Sequence, residues 1–327
     1  MAKIVFFNHY HRGDLLTHKE FAKQLKQVLG PQGVEFEYMH FNHPKLTRDI
    51  DIPLVGEPSN LDPKTPFYQT EDTLYVNTWI GCFWDIFCAH GGINMNSLWH
   101  QWEKIYQTIN ECFETDIKLS QRKEDYLPKI DFTVFNVSNI DSYLKENKEF
   151  KKILICNGAP KSGQSFADNM KQFVEPLSEE FPSIHFIMTE KFSTDRPNIK
   201  FTDDIVGDTE VVDKRAPWED REVNNCDVQE ISYLSENCDA IVGKNSGPYV
   251  FCETYNNYMD PKKKFLSYNV SWGIGKPLTE TMSNGLSLKA SYKIQPVEGP
   301  AKGDLNNLTA DDIANINNSL HSLAESL

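Results

Sequence analysis

No CxxC pair occurs in the sequence, and the seven cysteines are an odd number scattered over 327 residues. Zinc ribbons and disulfide frameworks need paired spacings, so neither is expected and the thiols are read as reduced. Basic residues are also short: 33 Lys and Arg stand against 47 Asp and Glu, a net charge of -14. Bare duplex nucleic acid demands a basic footprint, and this balance argues against one, leaving room only for a local basic cleft. No apolar run has the length of a membrane span; residues 74–90 come nearest and are broken by Asn77 and Asp85. The opening MAKIVFFNHYHRGD has neither the apolar stretch nor the cleavage site of a signal peptide. It reads as a first strand, and the expected location is cytoplasmic. No GxGxxG follows that strand and no GxxxxGK[ST] occurs, which disfavours dehydrogenases, SAM methyltransferases and P-loop enzymes.

What the chain does have is material for two cores: 39% hydrophobic and 12% aromatic residues. Its length suits two domains rather than one. Lys3 to Asn8 forms an apolar run with the profile of a buried parallel strand. Phe21, Leu25, Val28 and Leu29 then fall at helical spacing until Gly30-Pro31, and Val34, Phe36 and Tyr38 alternate as a second strand. Residues 43–72 read as an irregular insertion, 73–80 as a strand, and Leu98 to Phe113 as a helix with Ser97 as N-cap. Residues 132–137 read as another strand and the polar stretch 138–150 as the linker.

The β-α alternation restarts at Lys151 with KKILIC, followed by a loop, a helix capped by Ser165, and a strand from Ile184 to Met188. Asp227 and Glu230 have capping-box spacing, Ala240 to Gly243 is a strand, and Pro248 suits the first turn of a helix. Phe265 to Tyr268 is strand-like, and Thr309 and Asp312 open a final helix. The fold class is therefore α/β, with two Rossmann-like domains facing across a cleft. Their bounds are 1–142 and 151–305, and 306–327 is a C-terminal helix packing across both. Ligands of open parallel sheets bind at the carboxyl ends of the strands, so chemistry is expected on loops 8–17, 157–165 and 243–248.

In the first loop, Asp14 follows Gly13 at the start of a helix. It can serve as a general base or as an ordinary N-cap. His9, His11 and His18 lie close in sequence, but their spacing fits no zinc pattern and no metal is assigned. Asp49-Ile50-Asp51 has the letters of a metal motif but falls in the irregular insertion, so it too is set aside. In the second loop, small residues, Lys161 and Ser162 precede a helix N-terminus, a set that suits a diphosphate or a plain capped turn. In the third, Asn245, Ser246, Gly247 and Pro248 lead into a helix whose N-H groups can hold an anion, with Glu253 placed for ribose hydroxyls or for solvent. The tryptophans Trp79, Trp84, Trp99 and Trp102 are read mainly as the core of the first half, with an acceptor-binding wall as the other use.

This ordered set resembles the heptosyltransferase-like glycosyltransferases of family 9, which have the two-Rossmann GT-B fold. The resemblance lies in Gly13-Asp14 followed by Leu15, Leu16 and Thr17, in Asn157, Gly158 and Lys161, and in Asp227 through Pro248. It covers about 1–30 and 151–257. Asn245 stands where the family usually has Asp, Tyr249-Val250 replace Met-His, and Lys-Ser-Gly-Gln replaces Lys-Arg-Trp-Pro. The resemblance implies transfer of a hexosyl or heptosyl group from a nucleotide-diphosphate sugar to a hydroxyl of a glycan, lipid-linked or other acceptor. It implies Asp14 as base and His11, Arg12 and Gly13 on the acceptor side. Lys161, Ser162, Asn245, Ser246, Gly247, Pro248 and Glu253 fall on the donor side. The donor is a co-substrate, and no cofactor or metal is required. A nucleotide-sugar epimerase and a non-catalytic nucleotide-sugar binding protein are the alternatives on the same fold.

Overall fold

The computed structural model describes residues 2–10, 12–41, 44–157, 167–207, 227–243, 247–270, 283, 285–297 and 309–327. The chain divides into two units, one built mainly from residues up to Val134 and the other beginning at Phe135.

In the first unit the elements are β1 (Lys3–Phe7), α1 (Arg12–Leu29), β2 (Glu35–Met39), β3 (Leu54–Gly56), β4 (Phe67–Gln69), β5 (Thr73–Asn77), α2 (Trp84–Ala89) and α3 (Met95–Phe113). They give a five-stranded sheet of order β3-β2-β1-β5-β4, parallel except for β4. β1 sits at its centre and is apolar on both faces, as a strand covered on both sides must be. One core gathers on Trp102 of α3, which is fully buried. Phe21 of α1 stacks on it at 5.0 Å and 3°, and Phe6 of β1 lies 5.7 Å away. The indole donates to His18 Nδ1 at 2.8 Å, and burial pushes that imidazole down to about 3, which keeps it neutral.

The second unit contains α4 (Ser138–Glu146), β6 (Lys151–Ile155), α5 (Ala167–Glu180), β7 (Ile184–Met188), β8 (Ile199–Phe201), α6 (Thr202–Val206) and α7 (Val228–Glu236). It continues with β9 (Ala240–Gly243), α8 (Gly247–Val250), α9 (Tyr255–Met259), β10 (Lys264–Val270), β11 (Ser291–Val297) and α10 (Ala310–Glu325). Its six strands are all parallel, in the order β11-β10-β9-β6-β7-β8. Ile316, Leu320 and Ala324 of α10 join Phe173, Val174 and Phe186 in one core.

Several sequence expectations change. Residues 43–72 are not an irregular insertion: they supply β3 and β4 to the sheet. Both are only three residues long, too short for periodicity to reveal. Asp49 of that stretch is buried and held by Lys19, and Asp51 pairs with Lys26, so both serve as ion-pair partners. Residues 132–134 form a 3-10 turn, where alternation of FTVFNV suggests a strand. The linker sequence is the helix α4. Helix α3 is capped by Asn94, with Ser97 as the third helical residue of the box. Asp227 does not cap α7 with its side chain, whereas Thr309 and Asp312 do form their capping box. The buried face of α10 packs on α5, β10 and β11, within the second unit. Among the described residues no helix is long and apolar enough to cross a membrane.

Candidate functional site

Each sheet reverses its winding direction next to its central strand. In the first, the chain leaves β1 for β2 on one side and returns as β5 on the other. In the second, β6 leads to β7 and β8 on one side, and β9 lies on the other. Such switch points leave a crevice at the carboxyl ends of the two flanking strands, where parallel sheets place their ligands.

At the first switch point the strand ends are shaped by two asparagines. Asn8 Oδ1 accepts from the N-H of Tyr10 at 2.7 Å, and Asn77 Oδ1 accepts from that of Trp79 at 3.0 Å. Each is an Asx turn that bends the chain out of its strand. The two turns bring the rings of Tyr10 and Trp79 to 4.1 Å. Gly81 makes this possible, because a β-carbon there would lie 2.3 Å from the Trp79 ring. Beneath the rings, Thr78 is the hub of a buried network. Its Oγ1 lies 2.6 Å from Tyr38 OH and 3.5 Å from Asn8 Nδ2, and its carbonyl accepts from Gln101 Nε2 at 2.9 Å. Burial raises the Tyr38 phenol, with the charge of Asp14 adding to the effect.

Asp14 is thus close to this network electrostatically. It is half-buried and is the third residue of α1, in a first turn whose positive end complements its charge. Because α1 begins at Arg12, Asp14 stands inside its first turn and not at an N-cap. Arg12 and Gly13 form the same turn, and His11 lies outside the described residues. His9 is buried and donates from Nε2 to the carbonyl of Pro58 at 2.8 Å. His9 and His18 are therefore each committed to another partner.

At the second switch point Asn157 works differently. Its Nδ2 donates to the carbonyl of Glu190 at 3.1 Å, and its Oδ1 accepts from the N-H of Glu190 at 2.9 Å. This clamps the end of β6 to the end of β7. At the end of β9, Gly243 permits close packing, since a β-carbon would stand 2.8 Å from the Tyr249 ring and 3.0 Å from Cys156 Cβ. Gly247 and Pro248 open α8. Tyr249, which replaces a residue of the family pattern, is fully buried with its hydroxyl 3.1 Å from that of Tyr292. Glu253 lies beyond α8 and is also buried; its Oε1 accepts from Tyr258 OH at 2.6 Å. It is no solvated helix residue. Lys161, Ser162, Asn245 and Ser246 lie outside the described residues.

Sequence reasoning named Asp14 and the loops after β6 and β9, but did not join Asn8, Tyr10, Tyr38, Thr78 and Trp79 as a group. A signal was present: each of β1, β5 and β6 is followed by or ends on an asparagine after an apolar run. The tryptophans divide. Trp102 and Trp99 are buried, while Trp84 is 59% exposed.

No protein-family model and no curated protein matches the chain. Among solved structures, it is similar to a family 9 glycosyl transferase of Veillonella parvula, with 10% identity, a TM-score of 0.41, and coverage of 90% of this chain and 86% of that one. It is similar to the E. coli heptosyltransferase WaaC with ADP, at 8% identity and a TM-score of 0.43 over the full length of both. It is also similar to the E. coli ADP-heptose LPS heptosyltransferase II, at 11% identity, with a TM-score of 0.48 and 99% coverage of each chain.

Proposed function

We propose that this protein is a glycosyltransferase that moves a sugar from a nucleotide-diphosphate donor to an acceptor hydroxyl, with Asp14 as the base. The observation that carries the reading is the position of Asp14 in the first turn of α1, at the carboxyl edge of a parallel sheet and beside its switch point. An alcohol is a poor nucleophile until its proton has an acceptor, and a half-exposed carboxylate on a rigid helix can take it. The buried network of Tyr38, Thr78 and Asn8 holds the end of β1, from which the chain runs on to that carboxylate. His11, Arg12 and Gly13 lie on the acceptor side of the same loop.

The donor belongs to the second unit in this reading, at the β6–β9 switch point. Asn157 holds the end of β6 to the end of β7, and Gly243 lets the end of β9 pack closely. Lys161, Ser162, Asn245, Ser246 and the N-H groups of the turn into α8 hold the diphosphate and take up the charge of the departing nucleotide. The positive charge and the N-H donors do the work that a divalent metal does elsewhere, and the mechanism requires none. Asp14→Asn tests the reading. The side chain keeps its size and loses its basicity, so transfer should vanish while stabilisation by UDP, GDP, ADP or CMP in a melting assay persists. Retained turnover would refute the assignment of the base.

A further inference from the structure

A groove of about 940 Å³ lies in the first unit, between α2, α3 and residues 115–121. Its floor is one stripe of α3 on which His100, Glu103, Gln107 and Glu111 follow one another at helical spacing. The eleven helical rises from His100 to Glu111 make that stripe roughly 16 Å long. Helix α2 forms one wall and residues 115–121 the other. The second wall is fixed from within: Asn110 Nδ2 donates to the Ile117 carbonyl at 2.8 Å, and Asn110 Oδ1 accepts from the Ile117 N-H at 2.9 Å. The indole of Trp99 donates to the Ser120 carbonyl at 3.1 Å, and Glu114 takes a left-handed φ of 54° to turn the chain back. The groove is therefore preformed, which lowers the entropic cost of filling it.

Its chemistry is specific. Asp85, Glu103, Glu111 and Asp116 outnumber Lys104 and Lys118, so phosphates, nucleic acid and anionic lipid are repelled. His90 and His100 stack at 4.7 Å and 14°, with Trp99 edge-on to His100 at 5.2 Å. Burial lowers His90, which favours the neutral form of that ring. Each central carboxylate already carries one donor: His100 Nδ1 is 2.6 Å from Glu103, and Gln107 Nε2 is 3.1 Å from Glu111. A carboxylate held by one donor keeps acceptor capacity for hydroxyls and is a weaker trap for a cation. Flat rings beside oriented carboxylates suit an uncharged, polyhydroxylated chain. The length of the stripe suits several rings rather than one.

We propose that this groove binds a linear, uncharged oligosaccharide, the chain of the acceptor. Helix α2 begins five residues after Trp79, so the groove starts near the sheet edge that carries Asp14. The catalytic meaning rests on the glycosyltransferase reading; the binding does not. The test uses the full chain with maltotriose, cellotriose and chitotriose, followed by saturation-transfer NMR and calorimetry, with glucose and trilysine as controls. At least one trisaccharide should bind at least about tenfold more tightly than glucose. Glu103→Ala and Glu111→Ala should each weaken it about tenfold, the value of one charged hydrogen bond, with unchanged melting. Asp14→Asn should bind it normally. The proposal is overturned if none of the three binds, if both groove variants bind like the parent, or if trilysine displaces the sugar. Sugar binding without turnover of any nucleotide sugar would sink the transferase reading alone. Transfer with a KM for the acceptor unchanged in both groove variants would sink the groove alone.

Discussion

The two sheets solve one problem in two ways. Both must end a central strand at a switch point. In the first unit the asparagines at β1 and β5 each bond two residues ahead, so each strand end is bent by its own side chain. In the second unit Asn157 bonds across to Glu190, so the end of β6 is fixed only once β7 is beside it. A local turn keeps its shape when neighbours shift, whereas a cross-strand clamp ties the loop to the integrity of the sheet. Loss of the clamp should therefore be felt through the second unit, and loss of one Asx turn near its own loop.

The largest expected effect separates chemistry from both. Asp14→Asn should lower kcat about 10²- to 10⁴-fold, the usual worth of a general base, with nucleotide-induced stabilisation unchanged. Trp102→Ala should cost roughly 3–5 kcal/mol by emptying the core under the first sheet, read as a shift in the denaturant midpoint. Asn157→Ala should cost about 1–3 kcal/mol, because it strands the N-H and the carbonyl of the half-buried Glu190 together. Asn8→Ala should cost less, about 1 kcal/mol, since it removes one short local bond and a long one to Thr78. Equal losses at Asn8 and Asn157 would erase the distinction between turn and clamp.

A pH titration sharpens the comparison further. His18 is held near 3 and His185 near 4, both chiefly by burial. Each imidazole takes up a proton more readily in the unfolded chain, with a usual value near 6.5. Stability is thus complete above about pH 6.5 and falls as the pH drops toward the folded value of each group. The fall continues to about pH 3 for His18 and stops near pH 4 for His185. His18→Gln keeps an acceptor for the Trp102 indole and removes the titration. Its midpoint should therefore decline less steeply than the parent's between pH 6.5 and 4. An unchanged slope would show that His18 is not the acid-sensitive group of the first unit.

Much of the architecture was legible because long apolar runs leave few options. KIVFF, IHFIM and AIVG are strands in the places their composition dictates. The failures have physical causes. β3 and β4 owe their pairing to neighbours, and three residues carry no period of their own. Asn94 and Ser97 are both good caps, and only the helix geometry shows that one is the cap and the other its reciprocal partner. At the site, Asp14 was readable from a glycine and a strand end. The Thr78 hub joins residues 8, 38, 78 and 101, a proximity that exists only after the sheet has formed.

The placement of α10 also sets an order of events during synthesis. All strands of the first sheet have been made once Asn77 has emerged. The second core still lacks Ile316, Leu320 and Ala324 at that stage and for more than two hundred residues afterwards. Until they arrive, Phe173 and Phe186 lack the apolar cover that those side chains provide, and a nascent chain in that interval presents sticky surface to its surroundings. A ribosome stalled a short distance before residue 316 would hold a first unit able to fold and a second one unable to finish. Such a chain is a natural client for a chaperone that binds exposed apolar segments.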